Sequence, residues 1–559
     1  MASPVVQQRH RGAILLTLCF AVLAINLDTT IVNVALPTLV RDLDASTREL
    51  QWIVDAYALV FAALVLAAGS ISDRVGRKGA LLVGLAIFGT GSVIGSQCSS
   101  PGQLIAVRAF IGLGAAVIFP ATLSIISNVF TGRAERAKAI GLWGAMTGLG
   151  VAAGPICGGW LLERFWWGSV FLALVPVAAI VAALVAWVVP TSRDPHAPRF
   201  DRGGLVLSTA AIGTLVYTII EAPDAGWSSV RSVVGFATAA VLLAVFVWWE
   251  RRTWAPMLDV RLFENLRFSA ASGSVTVAFF ALFGFIFMVT LYFQFLKAYS
   301  PFETGIRILP VAVSLALAAV IGTRLAVRVG NKAVVSTGLG SIAIAFLWVS
   351  TASAATPYVE LAGQMILLGT GLGLTSAPAT EAIMGVVPKE KAGIGSAMND
   401  ATRELGGTLG VAVIGSVFAS LYAAGLALPA GLPPRAAQAA RESVGGAFIA
   451  ARRIADAGLG PLAAQLRATA SAAFFDGFAA GCLVAAGVAA AGAIAAAILL
   501  PAQPIVAHDE PSADAAAMNE GAATPGVDGV DSISSTPAVA TKTTHRLARA
   551  QRSTRDPAQ

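Results

Sequence analysis

Charge is what this sequence has least of. Only 12% of its 559 residues are Asp, Glu, Lys or Arg, against 56% hydrophobic, whereas a water-soluble domain carries about 25% charged residues. With a mean hydropathy of +0.76, that shortage excludes an ordinary soluble fold and leaves an all-α integral membrane protein. Histidine is scarce too. His10, His196, His508 and His545 all fall outside the apolar runs, which excludes a histidine proton relay or metal centre inside the membrane. The four cysteines, Cys19, Cys98, Cys157 and Cys482, lack C-x-x-C spacing, so small buried thiols are expected rather than a disulfide framework or a metal site. H-E-x-x-H and G-x-S-x-G are missing, which speaks against a polytopic membrane enzyme. The absence of G-x-x-x-x-G-K-[ST] speaks against an ATP-driven pump.

What is present is a series of apolar runs. A spanning helix needs about 20 such residues. Fourteen runs qualify, near 13–35, 51–71, 80–99, 104–126, 139–161, 168–189, 204–221, 231–249, 270–293, 306–326, 333–353, 358–378, 405–425 and 472–500. The seventh is cut short by Glu221 and Pro223. The first is too long for a signal-peptide core and is read as a retained helix.

The net charge of +7 does not point to nucleic acid, because Lys and Arg lie in short segments between apolar runs. SDRVGRK (72–78), TGRAERAK (131–138), SRDPHAPRFDR (192–202), the stretch 250–267, RVGNK (328–332) and PKEK (388–391) are basic, whereas GSQCSSPGQ (95–103), EAPDAGW (221–227) and ATPYVE (355–360) carry no Lys or Arg. The positive-inside rule then places both termini in the cytoplasm. Tryptophans near run ends, such as Trp52, Trp166, Trp167, Trp227, Trp248 and Trp249, suit an interfacial belt.

RVGRK at 74–78 recurs as RVGNK at 328–332, an offset of 254 residues that also carries the first run roughly onto the ninth. Parallel repeats are a known transporter plan with the binding site at their interface. The expected organisation is a cytoplasmic N-terminus (1–12), a six-helix bundle (13–190) and a linker region with two extra membrane helices (191–267). A second six-helix bundle (268–501) contains a long outside loop at 426–471, and a disordered tail follows (502–559).

GSISDRVGRK (69–78) is the most specific stretch. A tight turn at Gly76 calls for positive φ or close backbone approach, Arg74, Arg77 and Lys78 favour the cytoplasmic face, and Asp73 can pair with them. An ordinary basic loop leaves the acid and both glycines, Gly69 and Gly76, unexplained.

The stretch resembles the signature loop of the major facilitator superfamily, G-x-x-x-D-R-x-G-R-[KR]. LDTTIVNVALP (27–37) resembles the first-helix motif of its fourteen-helix drug:proton antiporter branch. LIAVRAFIGLGAA (104–116) is similar to the fourth-helix motif, and GLGVAAGPICGG (148–159) to the fifth-helix antiporter motif through Gly148, Gly154, Pro155, Gly158 and Gly159. LYFQ (291–294), GIRILP (305–310) and SAMNDATRELGGTLGVAVIGS (396–416) fit the same branch. The resemblance covers about residues 12–500. Leu174 stands where the branch commonly has Asn before Val-Pro, and Val327 stands where Asp73 would align in the second loop. The tenth run also lacks an acid, which lowers the expectation of dicationic substrates.

The resemblance implies two six-helix bundles plus two inserted helices, fourteen spans in all. It implies export of lipophilic, often cationic drugs or antibiotics by alternating access, driven by a proton gradient with no other cofactor. The expected setting is a bacterial cell membrane, the expected partners are the lipid bilayer, drug-like substrates and protons, and the protein is expected to act as a monomer. A dedicated exporter of one natural product or lipid is the alternative.

Asp28 lies well inside the first run, where a charge costs roughly 2.5–3.5 kcal/mol on insertion scales. A dry surrounding favours a neutral carboxyl and a nearby cation favours the carboxylate, so a site alternating between the two can load and release a proton. Arg108, set farther from the end of its run than any other arginine, is its expected partner. A static structural ion pair is the competing reading. Asn33, Tyr57, Tyr292, Gln294 and Asn399 are candidate substrate contacts, each equally suited to packing or an interface.

Overall fold

The apolar runs become helices because hydrocarbon offers the backbone no hydrogen-bond partner outside the segment itself. The computed structural model describes residues 11–193, 201–254, 256–386 and 392–501. The expected tail at 502–559 and most of the expected N-terminal segment lie outside the described residues. Six helices come first: α1 (Arg11–Leu43), α2 (Thr47–Val75), α3 (Arg77–Gly95), α4 (Pro101–Val129), α5 (Arg133–Arg164) and α6 (Ser169–Val188). A hairpin follows, α7 (Arg202–Ala225) and α8 (Val230–Arg252). Then come α9 (Leu266–Leu296), α10 (Pro301–Val329), α11 (Asn331–Val349), α12 (Tyr358–Met384) and α13 (Ala392–Gly425). The short helices α14 (Pro434–Glu442) and α15 (Val444–Asp456) precede α16 (Gly460–Leu499).

Thirteen of these are long and apolar enough to cross a membrane. Helix α12, with 27 residues, matches the remaining run in length, but its glycines, threonines and Gln364 dilute its hydropathy. Several boundaries differ from the sequence reading, those of α7, α13 and α16 among them. Helix α7 continues past Glu221 because that acid is neutralised by Arg48 at 3.5 Å, and Pro223 falls in its last turn. Helix α13 begins at Ala392 rather than 405, since Asp400, Arg403 and Glu404 interrupt the apolar pattern without interrupting the helix. Helix α16 begins at Gly460 rather than 472. Cys157, expected to be buried, is exposed on α5, whereas Cys19, Cys98 and Cys482 are buried.

The repeat extends beyond the RVGRK turn. Ser46 and Glu49 form a capping box at the start of α2, and Ser300 and Glu303, also 254 residues on (300 − 46), form the same box at the start of α10. Each box satisfies two orphan donors of its helix. Gly76 and Gly330 close the two helices with φ of +132° and +88°, a region that favours glycine. Packing repeats as well. The pairs α1–α5, α2–α4, α3–α4 and α3–α6 reappear as α9–α13, α10–α12, α11–α12 and α11–α16. The two sets meet through α2 against α13 and α5 against α10. Helix α7 lies along α2 and α13, and α8 packs chiefly on α7.

The ends of the molecule differ. At the end opposite the basic loops the two sets are pressed together. Gln51 Nε2 on α2 donates to the Val411 and Ala412 carbonyls and to Ser416 Oγ on α13, at 3.3, 3.1 and 3.2 Å. Gln294 Nε2 donates to the Val34 carbonyl at 2.9 Å. Helices α14 and α15 cap this end: Tyr422 Oη donates to the Ala440 carbonyl at 2.9 Å, and Thr47 Oγ1 to the Glu442 carbonyl at 3.2 Å. At the basic end, by contrast, Gly141, Gly144 and Gly148 on α5 face open space.

Candidate functional site

Antiparallel α1 and α4 bring Asp28 and Arg108 together, 80 residues apart in sequence, with Arg108 Nη1 at 2.7 Å from Asp28 Oδ2. The two side chains are 0% and 1% exposed, so this is a buried pair whose desolvation offsets much of its Coulomb attraction. Arg108 is held by more than the acid. Its Nε donates to the Ile53 carbonyl at 3.1 Å, and its guanidinium sits 4.3 Å from the centre of the Tyr57 ring. Gly112 allows this approach, because a Cβ there would lie 2.6 Å from the Tyr57 carbonyl oxygen. Among the described residues Asp28 Oδ1 has no hydrogen-bond partner, leaving one acceptor site free for a proton.

Helix α13 brings a second charged group. Asp400 Oδ1 lies 3.9 Å from Arg403 Nη1, and the Arg403 guanidinium rests 4.4 Å from the Phe279 ring centre. Glu404 lies one turn on along the same helix, which packs against α2. Charged groups from the two repeats therefore address one region between α2, α4 and α13. Asp400, Arg403 and Glu404 lie within the 396–416 stretch but were not singled out as site residues, because they stood just before the thirteenth apolar run. Asp55 on α2 was missed although an acid within a run is the same signal that flagged Asp28. It is fully buried, and neither of its oxygens has a hydrogen-bond partner among the described residues.

The remaining candidates have other surroundings. Asn33 donates to the Thr29 carbonyl at 3.0 Å, and Asn399 Oδ1 accepts from Thr380 Oγ1 at 3.0 Å. Tyr292 donates to the Ser353 carbonyl at 2.6 Å and Gln294 reaches Val34, so both belong to the closed end.

In the signature loop Asp73 Oδ1 accepts from Arg77 Nε at 2.6 Å. The backbone N–H of Arg77 donates to the Ser192 carbonyl at 3.0 Å, and Lys78 Nζ donates to the Ala186 carbonyl at 2.8 Å. The loop is thus tied to the end of α6, within its own repeat. Gly69 packs on Pro120, where an added Cβ would lie 3.3 Å from Pro120 Cβ. Arg74, in the last turn of α2, is exposed.

Helix α5 presents two close-packing faces. Gly154 and Gly158 meet Leu27, Thr30 and Ile31 of α1, while Gly159 and the Pro155 carbonyl meet Pro301, Phe302 and Gly305 of α10. Small residues let membrane helices approach closely. Gly148 touches neither helix. Gly150, absent from the motif as read, adds to the α1 face, since a Cβ there would lie 2.8 Å from the Leu23 carbonyl oxygen.

Comparison with known proteins places this geometry. Residues 18–411 match the Major Facilitator Superfamily. The multidrug resistance protein Stp of Mycobacterium tuberculosis is 36% identical over 72% of this chain and 74% of its own. The multidrug efflux pump LfrA of Mycolicibacterium smegmatis is 35% identical over 84% and 93%, and the methyl viologen resistance protein SmvA of Salmonella typhimurium 35% over 77% and 88%. Among solved structures, a bacterial homolog of the human lysosomal transporter Spinster superposes with a TM-score of 0.61 at 16% identity, over 89% of this chain and 98% of that one. A D-xylose–proton symporter gives 0.55 at 14% identity, over 88% and 98%. With both its sequence and its fold in agreement, the chain belongs to the Major Facilitator Superfamily and is a membrane transporter, not an enzyme.

Proposed function

We propose that this protein is a proton-coupled exporter of lipophilic, often cationic drugs or antibiotics. The buried Asp28–Arg108 pair carries the reading. The basic end is cytoplasmic, both termini lie there, and the chain works as a monomer in a bacterial cell membrane. The units at 13–190 and 268–501 rock about the central region, and the present arrangement, pressed together at the outer end, is the inward-facing one. A proton from outside takes Asp28 away from Arg108, and its release inside restores the pair. Proton and substrate favour different states, which couples their movements. Asp73, paired here within its own loop, engages the second bundle when the cytoplasmic side closes. Gly148, Gly154, Pro155, Gly158 and Gly159 form the hinge face on which α5 moves. Tyr57, Asn33 and Asn399 contact substrate, and Tyr292 and Gln294 do so from the outer end. The relatives' names as drug efflux and resistance proteins support the substrate class.

The test is drug movement in vesicles holding the purified protein. It should follow an imposed pH gradient and vanish in Asp28→Asn while insertion is retained. Movement indifferent to the gradient points to a channel, and movement of one compound alone points to a dedicated exporter.

A further inference from the structure

The inserted hairpin holds a cleft of about 210 Å³ that the transport reading leaves unused. Its walls include Thr214, Tyr217 and Glu221 of α7 and Arg231, Ser232 and Thr238 of α8. With α7 rising from the basic end, these residues occupy the outer half of the hairpin. Thr214 to Glu221 covers about 10 Å of helix rise, from the interfacial zone down into the acyl region. Helix α8 packs chiefly on α7, and most of its surface is exposed, so the cleft opens to lipid.

The charges at its mouth are unevenly satisfied. Asp224 takes Arg48 at 2.8 Å. Glu221 is shared, 3.5 Å from Arg48 and 3.8 Å from Arg231. Among the described residues Arg231 has one close partner, donating to Tyr217 Oη at 2.5 Å. A guanidinium has five N–H donors in a fixed fork matched to carboxylate or phosphate, and the Arg231 side chain is 62% exposed. At this depth the anion available to such a fork is a lipid phosphate.

We propose that the α7–α8 cleft binds the phosphate headgroup of an outer-leaflet phospholipid, through Arg231 with the Tyr217 hydroxyl beside it. Occupancy has a route to transport. The opposite face of α7 covers the seam between α2 and α13, with Val216, Ile219 and Ile220 packed beside Trp52, Leu409, Ala412 and Val413. Trp227 Nε1 also donates to Ser420 Oγ at 3.0 Å. A phosphate on Arg231 releases Glu221 to Arg48, which tightens α7 on α2 and holds the outer seam shut.

The experiment uses the full chain, delipidated in detergent, with bound lipid counted by native mass spectrometry after adding phosphatidylglycerol, diacylglycerol or inorganic phosphate. The wild type should retain phosphatidylglycerol and not diacylglycerol, and inorganic phosphate should not displace it. Arg231→Gln should weaken retention by roughly tenfold or more, the scale of a charge-assisted hydrogen bond. Thr238→Trp, which fills the cleft from an exposed position, should do the same. Arg252→Gln, at the other end of α8, should leave retention unchanged. Equal retention by Arg231→Gln and the wild type, or equal retention of diacylglycerol, overturns the headgroup site. Displacement by inorganic phosphate reassigns the cleft to free anions and overturns the lipid.

Discussion

Asp28→Asn and Arg108→Gln remove the same 2.7 Å ion pair with unequal consequences. In Asp28→Asn a guanidinium that cannot deprotonate is left in a site where it is 1% exposed. The Ile53 carbonyl and the Tyr57 ring still hold it, but its counter-charge is gone. Breaking a buried pair this way costs about 3–5 kcal/mol, with no added dependence on pH. In Arg108→Gln the orphan is a carboxyl, which escapes burial as an ion by holding a proton. The unfolded chain releases that proton above roughly pH 4, so the folded variant binds one proton more. Its stability must therefore fall as pH rises, by about 1.4 kcal/mol per pH unit relative to wild type. At the acid end the penalty shrinks to that of a neutral buried polar group, about 1–3 kcal/mol. The measurement is thermal unfolding of the purified variants across a pH series, each read as a difference from wild type so that other groups cancel. The double variant should regain part of the loss. Parallel pH profiles for the two single variants would refute the assignment of opposite full charges to this pair.

Gln51→Leu deletes the hydrogen bonds that close the outer seam. At about 1 kcal/mol for each of its two N–H donors, it should raise maleimide labelling of a Ser416→Cys probe from outside by roughly thirtyfold; unchanged labelling dissociates Gln51 from closure. Glu404→Gln should raise the KM for a cationic dye by about tenfold, some 1.4 kcal/mol, and leave a neutral substrate unaffected. Equal shifts for both would remove Glu404 from charge recognition. Gly154→Ala places a Cβ 2.9 Å from Thr30 Cβ and 3.0 Å from the Leu27 carbonyl oxygen. The overpacking should cost about 1–3 kcal/mol in a chemical unfolding series, and no cost would mean that α1 and α5 part freely.

Much of the architecture can be read from local chemistry. The spans follow from apolar length, and the repeat from two turns with glycine at positive φ. Asp28 advertises itself because an acid inside hydrocarbon needs a reason, and Arg108 answers as the arginine inside a neighbouring run. Asp400, Arg403 and Glu404 escaped because counting apolar residues ends a span at the first cluster of charge, although a helix facing a polar interior can carry charge through the bilayer. Tyr292 and Gln294 read as cavity residues in sequence. Gln294 finds the Val34 carbonyl through the way the two repeats meet, and Tyr292 finds the Ser353 carbonyl through packing within the second repeat, and no local pattern encodes either. Cys157 fails the rule that thiols are buried because exposure on a membrane helix means lipid, not water.

The cap formed by α14 and α15 belongs covalently to the second repeat, yet Gly445 of α15 nestles against Val40 of α1, where a Cβ would come within 2.7 Å of Val40 Cγ1. Five arginines, Arg435, Arg441, Arg452, Arg453 and Arg467, stand exposed on this cap and the adjoining start of α16. A binding protein raised against the seated cap would be a conformational sensor that never has to cross the membrane. With this end proposed to face out of the cell, clamping that epitope there would arrest transport without competing for the drug site.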